Sequence, residues 1–140
     1  MMSTDAAAST HPDDKIPEPQ GELALQTIAM PKDANAYGDI FGGWLVSQMD
    51  LAGGVVAHKT AKGRVATVAI ENMVFIAPVS VGSTVSCYAK LLGIGRSSMK
   101  IHVEVWACEA ISNYCVKVGD GIFTFVAIDA NRRTRPVPRT

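Results

Sequence analysis

The segment FGGWLVSQMDLAGGVVAH at Phe41–His58 decides the fold, because it carries the one long helix pattern of the chain. Its apolar residues occupy most sides of a helical wheel. They are Trp44, Leu45, Met49, Leu51, Ala52, Val55 and Val56. A helix that is apolar nearly all round is usually buried. The segment is shorter than the roughly 20 apolar residues of a membrane span. We therefore predict a buried helix from Phe41 to about His58.

Strand patterns lie on both sides of this helix. The clearest is Ser98–Ala107, where apolar and polar residues alternate with a period of two. β-Branched and apolar runs predict four more strands, at Glu22–Ala29, Val65–Ile76, Thr84–Leu92 and Tyr114–Ile128, the last with a bulge near Gly119–Gly121. Four strands follow the helix with short turns between them, which favours antiparallel pairing. The pattern predicts an α+β domain in which a long antiparallel β-sheet wraps around a central α-helix.

The size of the chain supports one folded domain. It has 140 residues, of which 48% are hydrophobic and 19% charged, and a chain of this length buries a sizeable core. Residues 1–20 are polar and aperiodic and are expected to be a disordered leader. Residues 131–140 hold four arginines and are expected to form an exposed basic tail. The domain is thus predicted to span residues 21–130.

Composition also excludes several functions. Thirteen basic residues balance thirteen acidic ones, so the chain lacks the basic excess expected of a nucleic-acid binder. Neither a membrane span nor a secretory signal is apparent, and metal-ligand spacing is absent. The three cysteines, Cys87, Cys108 and Cys115, have no CxxC spacing. We expect free thiols and a cytoplasmic location.

Asp50 is the feature that calls for a function. It is the only charged residue between Ile40 and Ala57, near the middle of an apolar helix. An unpaired carboxylate there would cost several kcal/mol in desolvation. Residues with very small side chains lie on the same side of the helical wheel, namely Gly43, Ser47, Gly53 and Gly54. This lane predicts close approach either by a slender substrate or by a neighbouring element of the fold.

Gly42 and Gly43 lie at the start of the predicted helix, where backbone N–H groups lack internal acceptors. Such donors can stabilise an oxygen that gains negative charge, although a plain glycine turn fits these residues equally well. Asp50 lies seven positions after Gly43, which is about 10 Å along the helix axis. One carbonyl group cannot contact both, so their cooperation would require two chains.

Three stretches resemble the YciA-type acyl-CoA thioesterases of the hotdog fold. They are GDIFGGWLVSQMD at 38–50, RVATVAIENMVFIAPVSVGSTV at 64–85 and GRSSMKIHVEVWA at 95–107, and the likeness covers residues 21–138. The resemblance implies a long antiparallel sheet around a central helix. It also implies a homo-oligomer whose minimal unit is a side-by-side dimer, commonly assembled into a trimer of dimers.

The resemblance further implies active sites between subunits. The catalytic residues would be Asp50 as the helix carboxylate, Asn35 from the other chain, and the Gly43 amide near the thioester carbonyl. This family usually has a second Asn where this sequence has Tyr37. The implied substrate is an acyl-CoA, and coenzyme A is part of the substrate and product, with no separate cofactor.

Thioester hydrolysis needs an attacking group, an oxyanion donor and a place for coenzyme A. Asp50 can act as a general base on water or as a nucleophile, and the sequence leaves both open. We expect Asn35 to orient the water or the thioester oxygen. Arginine suits the phosphates of coenzyme A. The predicted substrate-binding residues are Gly42, Ser47, Arg64, Asn72, Met73, Val74, Phe75, Arg96, Ser97 and Ser98, with Arg132, Arg133 and Arg135 as further candidates.

Two alternatives keep the fold but change the activity. One is a non-hydrolytic hotdog module that binds acyl-CoA or acyl-carrier thioesters. The other is a dehydratase or isomerase, which is disfavoured because no histidine occurs between His11 and His58. By reaction type the chain is also grouped with the carboxylesterase-type serine esterases, although no Ser–His–acid arrangement is apparent.

Overall fold

The computed structural model describes residues 18–139, so residues 1–17 of the expected leader lie outside the described part. The elements are β1 (Glu22–Ile28), α1 (Gly42–Ala61), β2 (Val65–Phe75), β3 (Thr84–Ile94), β4 (Ser98–Cys108) and β5 (Cys115–Ala127). A single 3-10 turn, Pro31–Asp33, follows β1. Among residues 18–139, no helix is both long and apolar enough to cross a membrane.

The five strands form one antiparallel sheet in the order β1-β3-β4-β5-β2. Strands β3, β4 and β5 are consecutive neighbours, whereas β1 and β2 lie at opposite edges. The chain between β1 and β2 must therefore cross a face of the sheet, and α1 makes that crossing. This arrangement confirms the predicted α+β architecture.

Helix α1 packs one side against the sheet and leaves the other side uncovered. Its buried side includes Leu45, Met49 and Val56, which join the core with the inward residues of the strands. On the opposite side Leu51 is 58% exposed and Val55 is 42% exposed. The expectation of a helix buried all round is therefore wrong for one chain, because the sheet covers a single side.

The predicted bulge in β5 is present. Val105 pairs with Gly119 and Trp106 pairs with Lys117, so Val118 is the extra residue of the bulge. Strand β2 approaches β5 closely beyond this point. A Cβ atom on Gly119 would run into the Val74 carbonyl, and one on Gly121 would lie 2.6 Å from the Met73 side chain. Glycine permits this approach.

The C-terminal residues are not the free tail that the sequence suggested. Val137 is 3% exposed and belongs to the core. The Arg135 guanidinium donates to the carbonyls of Ile128 and Ala61, at 3.0 and 2.9 Å. The hydrogen bond from Arg135 to the end of α1 and the burial of Val137 thus dock this segment onto the fold. Arg132 and Arg133 stay exposed.

The expectation of three free thiols is also wrong. Cys108 and Cys115 form a disulfide across the β4–β5 hairpin. Antiparallel pairing places the two residues directly opposite each other, which brings their side chains together. Cys87 is free and buried.

Candidate active site

Asp50 projects from the uncovered side of α1 toward strand β2 and is partly exposed. The Thr67 hydroxyl donates a hydrogen bond to Asp50 Oδ1 at 2.7 Å. Among residues 18–139, no cation forms an ion pair with this carboxylate, and Oδ2 has no hydrogen-bond donor. One oxygen is therefore held in place while the other is available to a ligand.

Sequence reasoning missed Thr67. It lies in a strand rich in β-branched residues, where threonine is an ordinary strand former. The residue type alone therefore gives no indication of a role at the site. Its contact with Asp50 becomes evident only once the fold has placed β2 beside α1. Among the described residues, Thr67 is then the hydrogen-bond donor that orients Asp50.

The small residues near Asp50 do not all have the same role. One packs against a neighbouring element of the fold, and others leave space that a substrate could occupy. Gly53 faces the sheet, where a Cβ atom would lie 2.9 Å from the Phe125 ring. Gly43 faces open space, and Gly54 has only an ordinary contact with Phe125 at 3.8 Å. The Ser47 hydroxyl donates to the Trp44 carbonyl at 2.6 Å. Gly53 is thus a packing residue, and Gly43 and Gly54 leave room on the Asp50 side.

A groove of about 450 Å³ begins at Asp50 and follows α1 toward its C-terminus. Most of its lining is apolar, and His58 and Lys59 add polar groups along the helix. The lining residues are Asp50, Leu51, Gly54, Val55, His58, Lys59, Val65, Thr67 and Phe125. The Asp50 carboxylate therefore lies at one end of an open, mostly apolar groove.

The start of α1 presents free backbone donors. Phe41 occupies the N-cap position without a side-chain cap. In the described part of the chain, the Gly42 and Gly43 N–H groups have no acceptor. The Phe75 ring lies against Gly42, 3.4 Å from where a Cβ would be, whereas nothing approaches Gly43. This geometry suits an incoming oxygen at Gly43.

Asn35 lies beside this helix start in the same chain. A bridge pairs Ala34 with Ile40, and the Asn35 N–H donates to the Asp39 carbonyl at 2.7 Å. Asn35 Oδ1 accepts hydrogen bonds from the N–H groups of Tyr37 and Asp39, at 2.8 and 3.1 Å. Because its oxygen is engaged, the Asn35 side chain has its NH₂ group left to donate.

Tyr37, the departure from the family pattern, contributes its backbone N–H to this loop. Its side chain is 89% exposed. Any non-proline residue can supply that N–H. The substitution therefore leaves the orientation of Asn35 intact.

The predicted β2 contacts fall on different sides of the edge strand. Asn72 and Val74 are exposed, with Asn72 at φ 55° in an irregular stretch of the β2–β5 pairing. Met73 instead packs over Gly121 toward the core. Phe75 covers the helix start. The four residues are thus neighbours in sequence without forming one wall.

The predicted phosphate-binding residues lie in two places, just after the end of α1 and in the turn between β3 and β4. Arg64 follows α1, is exposed, and donates to the Ala130 carbonyl at 3.3 Å. Arg96, Ser97 and Ser98 form the β3–β4 turn and its exit. Arg96 is exposed, and the two serines are partly buried.

Within residues 18–139, the buried thiol of Cys87 and a cluster of possible metal ligands lie outside the Asp50 site. Burial raises the pKa of the Cys87 thiol to about 12, which keeps it protonated. His102, Glu104 and Asp120 lie close together away from this site. The Lys117 ammonium, 2.6 Å from Asp120, supplies a cation there, and this hydrogen bond chiefly raises the pKa of Lys117, with Glu104 adding to the effect.

Comparisons with known proteins identify the family of this chain. Residues 37–110 match the family model of the thioesterase superfamily. An acyl-CoA thioester hydrolase of Haemophilus influenzae, itself uncharacterized, is 54% identical over 125 residues, covering 86% of this chain and 80% of that protein. The acyl-CoA thioester hydrolase YciA of Salmonella typhimurium is 48% identical over 123 residues, covering 86% and 92%. The chain belongs to the YciA-type acyl-CoA thioester hydrolases.

A solved structure extends the comparison. It is the aspartate-to-alanine mutant of HI0827, a hexameric broad-specificity acyl-coenzyme A thioesterase. The two share 53% identity with a TM-score of 0.83, over 86% of this chain and 88% of that one. The hotdog fold is thereby confirmed. The grouping with serine esterases is wrong: an aspartate is indicated instead, and the Ser47 hydroxyl is engaged by the Trp44 carbonyl.

Proposed function

We propose that this chain hydrolyses acyl-CoA to a free fatty acid and coenzyme A, in sites shared by two subunits. The observation that carries the proposal is the Asp50 carboxylate, which Thr67 orients at the end of an apolar groove. No cation of residues 18–139 forms an ion pair with this carboxylate. A structural carboxylate in an apolar setting would have a cationic partner or several donors. We further propose that the protein is cytoplasmic.

Helix geometry supports the shared site. Asn35 and Gly43 both lie at the start of α1, because the loop that carries Asn35 is bridged to the residue before the helix cap. Asp50 is about 10 Å further along the helix. One thioester carbonyl cannot meet both ends in one chain. Asp50 and Thr67 would therefore face Asn35 and Gly43 of the partner subunit.

An uncovered apolar surface supports the same pairing. The edge strand β2 exposes Val68, Ile70 and Val74 by 57%, 43% and 51%, and the adjoining side of α1 exposes Leu51 and Val55. Contiguous exposed apolar surface beside an open strand edge is typical of a subunit interface. We propose a dimer through β2 and α1. In keeping with the hexameric relative, three such dimers would form the oligomer.

The chemistry follows from the free oxygen of Asp50. As a general base, Oδ2 takes a proton from water while the water oxygen attacks the thioester carbon. The carbonyl oxygen gains negative charge and accepts hydrogen bonds from the Gly43 N–H and the Asn35 NH₂ group. The C–S bond then breaks, and coenzyme A leaves as a thiolate that takes up a proton. Alternatively, the Asp50 carboxylate attacks the thioester carbon itself and expels the coenzyme A thiolate, and water then hydrolyses the resulting mixed anhydride, which releases the fatty acid and restores Asp50.

The substrate-binding residues complete the proposal. Gly54 and the groove behind Asp50 would accept the acyl chain. Gly42, Ser47 and the β2 residues Asn72, Val74 and Phe75 would border the pantetheine arm, with Met73 supporting them from the core. Arg64, Arg96, Ser97 and Ser98 would meet the phosphates, because exposed guanidinium and hydroxyl groups suit phosphate oxygens.

Replacement of Asp50 by Asn tests this function. Thiol release from short, medium and long acyl-CoAs should fall by about 10²–10⁴-fold in Asp50→Asn, since the base or nucleophile is removed. Binding of coenzyme A should persist, as measured by calorimetry. Glu18→Gln, at an exposed carboxylate far along the chain, is the matched control and should keep wild-type rates. If the wild type binds acyl-CoA but releases no thiol, the chain is a binding module instead.

A further inference from the structure

The residues at 137–139 fold back onto the turn between β3 and β4. The Val137 side chain is buried in the core, and its N–H donates to the Arg96 carbonyl at 2.8 Å. Two residues later, Arg139 Nη2 donates to the Gly95 carbonyl at 2.6 Å. The C-terminal segment therefore contacts two successive residues of the turn through hydrogen bonds.

The turn is held from its carbonyl side. Besides the bonds to Gly95 and Arg96, the Ser97 carbonyl accepts a hydrogen bond from the Ala127 N–H at 2.8 Å. Three consecutive carbonyl groups are thus directed toward the protein. In the part of the chain that the structure describes, the N–H groups of Arg96 and Ser97 have no acceptor. The Arg96 side chain is exposed.

This orientation matters for anion binding. A turn whose carbonyl oxygens are tied to the protein keeps their negative ends away from a ligand and presents N–H groups and side chains instead. Phosphate oxygens bind such donors together with a guanidinium group. An untethered turn can rotate a carbonyl outward, where it would repel a phosphate.

We propose that Val137 and Arg139 are positioning residues for the nucleotide end of coenzyme A. They hold the Gly95–Ser98 turn with its donors outward, so that Arg96, Ser97 and Ser98 meet the phosphates without rearrangement. Arg139 acts through the Gly95 carbonyl, not by contact with the substrate. This proposal rests on the proposed function, because it assigns a role within the acyl-CoA site.

The test compares two substrates that share the same thioester. Acyl-CoA carries the nucleotide, whereas the matching acyl-pantetheine ends before the phosphates. In Arg139→Ala the KM for acyl-CoA should rise about fivefold, the effect of one lost hydrogen bond, with kcat unchanged. The KM for acyl-pantetheine should not change. Arg139→Lys, which retains a donor, should recover part of the loss.

Lys90→Ala is the control, since it removes an exposed cation from β3 without touching the turn. It should leave both KM values unchanged. Thermal unfolding of Arg139→Ala within a degree of wild type would show that the fold is intact. Equal changes for both substrates, or no change for acyl-CoA, would overturn the positioning role while the hydrolase activity stands. A wild type that hydrolyses neither substrate would overturn the proposed function, and this role with it.

Discussion

At the scale of single residues, the Thr67 hydroxyl controls how Asp50 is presented. It is the only donor to that carboxylate within residues 18–139. A hydrogen bond to a charged acceptor contributes about 1.5–3 kcal/mol. In the proposed reaction, this bond selects the rotamer that leaves Oδ2 free for water. Its loss should therefore lower the rate more than the affinity.

We predict that Thr67→Val lowers kcat by about tenfold or more with little change in KM. Valine keeps the β-branched shape that suits strand β2, so the fold should persist. Steady-state thiol release measures the effect. Thr67→Ser, which retains the hydroxyl, is the matched variant and should stay close to wild type. An unchanged kcat in Thr67→Val would show that the hydrogen bond does not serve the reaction.

The difference between Asp50 and Thr67 shows what sequence reveals about single residues. Asp50 was predictable because a lone charge among apolar residues violates the local pattern. Thr67 fits its pattern, so only the contact between β2 and α1 identifies it. The same limit applies to Val137, which lies among arginines and prolines that predict an exposed tail. Its burial depends on a docking site formed by distant parts of the chain.

At the scale of elements, the helix and the five strands were predictable within a few residues, because each has a clear period and turn residues at its ends. The order of the strands in the sheet was not predictable. The pairing of β2 with β5 and of β1 with β3 joins segments that are distant in sequence, and no local sequence pattern indicates it. The uncovered side of α1 was also mispredicted. Leu51 and Val55 are apolar whether a sheet or a second chain covers them, so the pattern alone cannot distinguish the two.

The adjacent glycines of α1 provide a matched pair. We predict that Gly53→Ala destabilises the fold by about 1–3 kcal/mol, because its Cβ would lie 2.9 Å from the Phe125 ring and 3.3 Å from Val103. Gly54→Ala meets Phe125 only at 3.8 Å and should be neutral or stabilising by up to about 1 kcal/mol through helix propensity. Urea denaturation measures both. Equal effects of the two substitutions would contradict the assignment of Gly53 to packing and Gly54 to the open groove.

At the scale of the whole molecule, the two halves of the proposed site occupy opposite ends of one helix segment. The first half holds Asn35 and Gly43 at the start of α1, and the second holds Asp50 and Thr67 about 10 Å away. The exposed apolar residues of β2 and α1 lie beside the second half. A two-fold dimer through this surface would bring the first half of one chain to the second half of the other.

Complementation between two inactive variants tests this arrangement directly. Asp50→Asn and Asn35→Ala should each be nearly inactive alone, since one removes the attacking group and the other an oxyanion donor. In a mixed dimer, one site carries both substitutions and the other carries neither. With random pairing about half of the dimers are mixed, so co-expression should restore about a quarter of wild-type thiol release per site. Co-expression of two differently tagged Asp50→Asn chains is the control and should stay inactive. Absence of recovery in mixed dimers isolated through both tags would mean that each chain builds its site alone, and the shared-site mechanism would then be wrong.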